Sequence, residues 1–206
     1  MFNDKYAVID FENLIKDIDL DVIIETGTKV GESTIKLKKY CKFIHTIEKK
    51  ERFSKMAQEN FNEVWPKDKN IKFWIGDTRD KLTEVLNTIT KNENVLLFLD
   101  AHTHMNDCED RFQDNPLKEE LFQIENFIKM KSLKEPYIVI DDFANPKNEK
   151  IKHNIYGDTA LNIQYVKKQL DLIYEKNGYE VYYTEKVENL NHSGKAFIKP
   201  KRIEEM

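Results

Sequence analysis

Val95-Leu96-Leu97-Phe98-Leu99-Asp100 is an unbroken apolar run closed by a carboxylate. A strand with one wet face alternates polar and apolar positions, so a strand-length run with no polar residue marks a strand covered on both faces, at the centre of a parallel sheet. Towards the N-terminus lie three more short apolar runs: Val22-Ile23-Ile24, closed by Glu25-Thr26-Gly27; Phe43 to Ile47; and Ile71-Lys72-Phe73-Trp74-Ile75, closed by Gly76-Asp77. Each is followed by a helical stretch: Gly31 to Tyr40, Glu51 to Val64, and one starting near Thr78 with Asp77 as its N-cap. Towards the C-terminus, Asn115-Pro116 caps and starts a helix whose Leu117, Leu121, Ile124 and Ile128 share one face. Tyr137-Ile138-Val139-Ile140 is a fifth strand, followed by a helix with Ile163, Val166, Leu170 and Ile173 inward and a stop at Asn177-Gly178. The runs Tyr179 to Thr184 and Lys195 to Ile198 leave no room for a crossover helix, so they pair antiparallel.

This alternation predicts an α/β fold: a mostly parallel seven-stranded sheet with helices on both faces and an antiparallel C-terminal hairpin. A length of 206 residues suits a single domain spanning 1–206, with residues 1–20 as an extension that covers either the active site or a dimer partner. The chain has 37 acidic against 33 basic residues and a pI near 5.8, which argues against a surface built to neutralise nucleic-acid phosphates. No run approaches the ~20 apolar residues of a membrane helix, and the opening MFNDKYAVIDFEN lacks the layout of a secretion signal, so a soluble cytoplasmic protein is expected. Cys41 and Cys108 form neither a disulfide framework nor a C-x-x-C pair.

In parallel α/β sheets ligands bind beyond the carboxyl ends of the strands, so the polar residues there carry the chemistry. After the first strand, Glu25-Thr26-Gly27-Thr28-Lys29-Val30-Gly31-Glu32-Ser33-Thr34 forms a glycine-containing turn into a helix, without the G-x-G-x-x-G of a dinucleotide site or the G-K-[ST] of a phosphate loop. Glu48 follows the second strand, where an acid accepts hydrogen bonds from ribose hydroxyls. Gly76-Asp77-Thr78 follows the third. Together they describe a nucleoside site without a phosphate clamp.

The acids after the fourth and fifth strands, Asp100, Asp141 and Asp142, are costly to hold together without a counter-charge. A divalent ion resolves that conflict, and an all-oxygen ligand set predicts Mg2+ or Mn2+ at Asp100, Asp141 and Asp142. His102 and His104 lie just beyond Asp100, in reach of a group bound at the same place, and histidine is the usual general base near neutrality. His45, inside the second strand, is read as a packed residue.

These residues resemble class I S-adenosylmethionine-dependent methyltransferases, in particular metal-dependent O-methyltransferases of sugars and small molecules, over nearly the whole chain. The E-T-G-T-x-x-G-x-S-T stretch from Glu25 to Thr34 is similar to the family motif that holds the methionine part of the cofactor. The resemblance places Glu25, Gly27, Thr28, Gly31, Ser33 and Thr34 there, Glu48 at the ribose, Gly76, Asp77 and Thr78 at the adenine, and Asp100 beside cofactor and metal. L-D-A-H at Leu99 to His102 and P-L-K-E-E-L at Pro116 to Leu121 are similar to bacterial and viral sugar methyltransferase-like sequences. I-D-D-F at Ile140 to Phe143 is similar to the metal-binding segment of macrolide-sugar O-methyltransferases and the cephalosporin-hydroxylase group. The lysine that catechol enzymes carry three residues beyond the first metal aspartate is Thr103 here.

The resemblance implies a Rossmann-like methyltransferase fold, S-adenosylmethionine and a divalent ion as cofactors, and a hydroxyl acceptor on a sugar, glycan or other small diol. Asp100, His102 and His104 are the catalytic candidates, and a homodimer is compatible with the extension. Two competitors remain. Asp100, His102 and His104 after an apolar strand also look like the H-x-H motif of metal-dependent hydrolase barrels, although a barrel needs ~250 residues. A methyltransferase-like subunit without catalysis, acting as a binding module, is the other.

Overall fold

In the computed structural model the run Val95–Leu99 is strand β4, buried at every position. The structure describes residues 4–101, 116–143, 145–146, 163–175, 178–188 and 194–201. The other strands are β1 (Leu20–Thr26), β2 (Cys41–Glu48), β3 (Ile71–Ile75), β5 (Tyr137–Ile140), β6 (Tyr179–Tyr183) and β7 (Ala196–Pro200). They form one sheet in the order β3-β2-β1-β4-β5-β7-β6, which puts β4 in the middle. The first five run parallel, and β7 is antiparallel to both β5 and β6. This is the Rossmann-like α/β arrangement the sequence predicts. The sheet is open, with β3 and β6 as edges, so the hydrolase-barrel alternative is wrong: a barrel closes its sheet and leaves no edge.

Strand side chains alternate faces, and the two cores follow that period. On one face Ile23, Ile44, Leu96, Phe98, Val139 and Phe197 meet Phe11, Leu14 and Ile15 of helix α1 (Lys5–Ile15), together with Leu37 of α2 (Glu32–Leu37). On the other, Ile24, Ile47, Leu97, Leu99, Ile138 and Ile198 meet α4 (Thr78–Leu86), α5 (Leu117–Lys131) and α6 (Ile163–Ile173). Helix α3 (Glu51–Val64) buries Ala57 and Phe61, the latter edge-on to Phe73 of β3. Among the described residues no helix is long and apolar enough to cross a membrane.

Some local expectations change. The stretch read as one helix from Gly31 is the short α2 followed by a 3-10 turn at Lys38–Tyr40, with Gly31 outside as a left-handed N-cap. Pro116 stands at the N-cap of α5 and offers no side-chain cap. The segment read as a covering extension is α1, whose Ala7, Phe11, Leu14 and Ile15 bury one stripe in the sheet face. Asp4 caps α1 by accepting from the Tyr6 and Ala7 N–H groups, and its other oxygen accepts from Glu188 N–H. Tyr182 Oη donates to the Asp10 carbonyl, so α1 is fastened to the C-terminal hairpin.

Parallel pairing brings the ends of β1, β2, β4 and β5 to one edge, with Thr26 level with Ile47 and Leu99, and Leu99 level with Ile140. That edge is crowded at Gly27, which has φ +82°; a Cβ there would lie 2.2 Å from the Asp100 carbonyl oxygen. Gly178, at φ +70°, has only Lys201 Cδ near a built Cβ, at 3.7 Å. Gly27→Ala should therefore combine backbone strain with a clash against main chain and cost about 3 kcal/mol or more, whereas Gly178→Ala should cost only the strain, about 1 kcal/mol. Urea unfolding of the two variants checks the ranking, and equal losses would contradict it.

Candidate active site

Glu25 sits near the end of β1 with no exposed surface. Its Oε2 accepts from the hydroxyls of Thr34 and Thr46, the latter at 2.6 Å. Thr46 spends its only proton on Glu25, so in the short contact between Thr28 and Thr46 it is Thr28 that donates. The other carboxyl oxygen, Oε1, is buried without a hydrogen-bond partner. Burial pushes the Glu25 pKa from its ordinary 4.5 up to about 7, against the two hydroxyl bonds that favour the ionised form. An unpaired buried acceptor is costly, and a cationic N–H donor at Oε1 would both satisfy it and restore the ionised form.

Glu48, at the end of β2, is buried rather than solvated. Its Oε2 accepts from Lys29 N–H (2.7 Å) and its Oε1 from Lys50 N–H (2.8 Å). The acid thereby fixes the β1–α2 turn, where Lys29 has φ +50°, and keeps lone pairs directed elsewhere. Gly27, Thr28 and Gly31 shape that turn; Gly31 is needed because a Cβ would press within 3.1 Å of Ala57 on α3. Ser33 is half-buried in the first turn of α2.

Asp77 is the N-cap of α4, as its sequence position suggests. Its Oδ1 accepts from Arg79 N–H and Nε, and its Oδ2 from Arg79 Nη2 (2.8 Å) and Lys49 (3.1 Å). The Arg79 bonds hold its carboxyl well below the usual range, outweighing burial. Four donors occupy the roughly four lone-pair sites of a carboxylate, so its acceptor capacity is taken up within the chain. Thr78 Oγ1, next to it, is buried without a partner.

The acids beyond β4 and β5 have a counter-charge that the sequence reading overlooked. Lys195 Nζ pairs with Asp141 Oδ1, each side chain 5% exposed. Asp141 Oδ1 also accepts Asp142 N–H at 2.7 Å, with Asp142 in the left-handed region at φ +52°. Burial pulls the Lys195 pKa down, but Asp141 foremost, then Asp142 and Asp100, outweigh it and hold the ammonium in its charged form. Asp100 N–H donates to the Thr26 carbonyl (3.1 Å), tying β4's end to β1. The expected metal set of Asp100, Asp141 and Asp142 does not fit this arrangement. Among the described residues no three metal-type side chains converge, and the cation that reconciles the acids is a lysine of the same chain. The pairing that brings it there is structural: β5 pairs with β7 through Ile140 and Ala196, and one step further along that antiparallel ladder sets Asp141 opposite Lys195.

His102 and His104, and with them the candidate general base, lie outside the described residues, as does Cys108. His45 is packed, as read: its Nδ1 accepts from Trp74 Nε1 (3.0 Å), which leaves the proton on Nε2 facing Thr88. Burial and then the Lys72 charge lower its pKa to about 4. Cys41 is an inert thiol, with burial raising it to about 12.

No family model and no curated protein matches the chain. Solved structures share its fold. An O-methyltransferase from Bacillus cereus, in complex with SAH, superposes with a TM-score of 0.61 at 20% identity, covering 96% of this chain and 80% of that one. The O-methyltransferase TomG from Streptomyces achromogenes, involved in tomaymycin synthesis and solved with SAM, gives 0.59 at 14% identity, with 96% and 80% covered. An rRNA methylase from Streptococcus thermophilus gives 0.56 at 10% identity, with 94% and 95% covered. At these identities the likeness is one of fold.

Glu25 and His45 tilt stability in opposite directions. Glu25, raised in the folded state, stabilises below pH ~4.5 and loses that contribution, about 3 kcal/mol, as pH rises to about 7. His45, lowered in the folded state, contributes above its unfolded value near 6.5 and loses that as pH falls towards 4. Urea unfolding of Glu25→Gln should therefore show stability climbing between pH ~4 and ~6.5, where the parent is flatter. An unchanged profile would contradict the burial assigned to Glu25.

Proposed function

We propose that this chain transfers a methyl group from S-adenosylmethionine to a hydroxyl oxygen of a small molecule, sugar or glycan. The observation that carries the reading is the unpartnered, buried Oε1 of Glu25 at the carboxyl edge of β1, an acceptor that suits the ammonium of an amino-acid moiety. Solved proteins of the same fold that were crystallised with SAM or SAH support it. The strand-end residues fit that cofactor: Glu25 for the amino-acid part, Glu48 for the ribose hydroxyls, and the main chain of Gly76 and Asp77 for the base. Bound S-adenosylmethionine supplies a methyl group made electrophilic by its sulfonium.

The chain's own residues have three tasks. Thr34 and Thr46, the latter backed by Thr28, hold the Glu25 carboxylate through its Oε2, so its orientation is fixed before any ligand arrives. Glu48 keeps the Gly27–Gly31 turn closed through Lys29 N–H. Beyond β4, Asp100 marks the acceptor side, and His102 or His104 takes the proton as the hydroxyl oxygen attacks. Positioning of this kind can supply ~7–11 kcal/mol of barrier reduction. In this reading the hydroxyl reacts without a metal ion, because Lys195 stands among the acids that would hold one.

Calorimetric titration of S-adenosylhomocysteine into the protein tests the reading. Binding in the micromolar range is expected, weakened about tenfold or more, roughly 1.4 kcal/mol, by Glu25→Gln and by Glu48→Ala. No binding would sink methyl transfer altogether. Binding without transfer of labelled methyl groups to any hydroxyl acceptor would leave the chain a binding subunit.

A further inference from the structure

We propose that the Lys195 ammonium is the resident cation of the acidic rim beyond β4 and β5, and that the rim admits no divalent ion while this lysine is in place. The placement is built by the fold. Lys195 N–H donates to Thr184 Oγ1 and Thr184 N–H to the Lys195 carbonyl, both at 3.1 Å, which sets the lysine on the hairpin ladder. Phe143 N–H donates to the Gly194 carbonyl at 2.8 Å, so the residue after Asp142 and the residue before Lys195 are bonded to each other. The ammonium thus reaches Asp141 from a backbone held on two sides, and both partners are buried.

A Mg2+-type ion demands carboxylate oxygens at about 2.0–2.1 Å in near-octahedral array. Asp141 Oδ1 already receives the ammonium and Asp142 N–H. An ion seated on Asp141 would stand directly against the ammonium, or would have to expel it. An expelled Lys195 would be a buried charge stripped of its partner, and breaking such a pair by losing one member is strongly unfavourable. Replacing the lysine by a neutral side chain removes both obstacles and leaves one or two carboxylates that can hold an ion whose shell water completes.

The inference stands apart from methyl transfer, because its readout needs neither cofactor nor acceptor. Mn2+ is titrated into the full chain and into Lys195→Gln and Lys195→Met, with free Mn2+ followed by electron paramagnetic resonance and folding by circular dichroism. The parent should leave the free-ion signal undiminished. The lysine variants should take up Mn2+ at least about tenfold more tightly than the parent, and a second change, Asp142→Asn, should abolish that uptake. Asn tolerates the left-handed backbone at that position. Uptake by the parent that Asp142→Asn removes would overturn the proposal, as would folded lysine variants that bind no Mn2+. If neither lysine variant folds, the parent decides alone: uptake removed by Asp142→Asn overturns the proposal, and no uptake sustains it.

Discussion

Burying β4 on both faces is the constraint from which the rest of the molecule follows. Helices must cover each face, so successive strands are joined by crossovers and run parallel, and each turns into its helix at the same edge of the sheet. The residues that end those strands are thereby collected without any of them being near another in the chain. Glu25, Glu48, Asp100 and Asp141 share an edge for that reason, and Gly27 is a glycine because the main chain of β4's exit passes against it.

The edge divides into two electrostatic regimes. On the β1–β2 side the acids are satisfied by hydroxyls and main-chain N–H groups, and one oxygen of Glu25 is left over. On the β4–β5 side the charge is balanced by an ammonium from the residue just before β7, a strand that runs against the others. The antiparallel hairpin is therefore more than a closing flap for the sheet. It reverses chain direction so that the approach to a strand, not its end, delivers a basic residue to the acids beyond β4 and β5.

The same reasoning separates what could be read from the chain from what could not. Strands β3, β4 and β5 were legible to their terminal residues, because short apolar runs bounded by Gly, Asp or Pro have few other interpretations. The acids at their ends were legible too, since parallel topology alone brings them together. Lys195 was not, because its position depends on the register of an antiparallel pair, which no periodicity in 195–198 specifies. The N-cap role of Asp77 was legible from its position before α4, while its pairing with Arg79, two residues on, was not. Helix α1 was not read from residues 1–20, although Ala7, Phe11, Leu14 and Ile15 lie on the stripe it buries.

The fastening of α1 to the hairpin has a consequence for how the chain is made. Phe11, Leu14 and Ile15 share their core with Phe197, and Tyr182 bonds to the Asp10 carbonyl, so α1 has part of its cover in strands made some 170 residues later. At ribosomal rates of ~5–20 residues per second, roughly 10–40 s separate the two. Throughout that interval the apolar stripe of α1 lacks the part of its cover that β7 supplies.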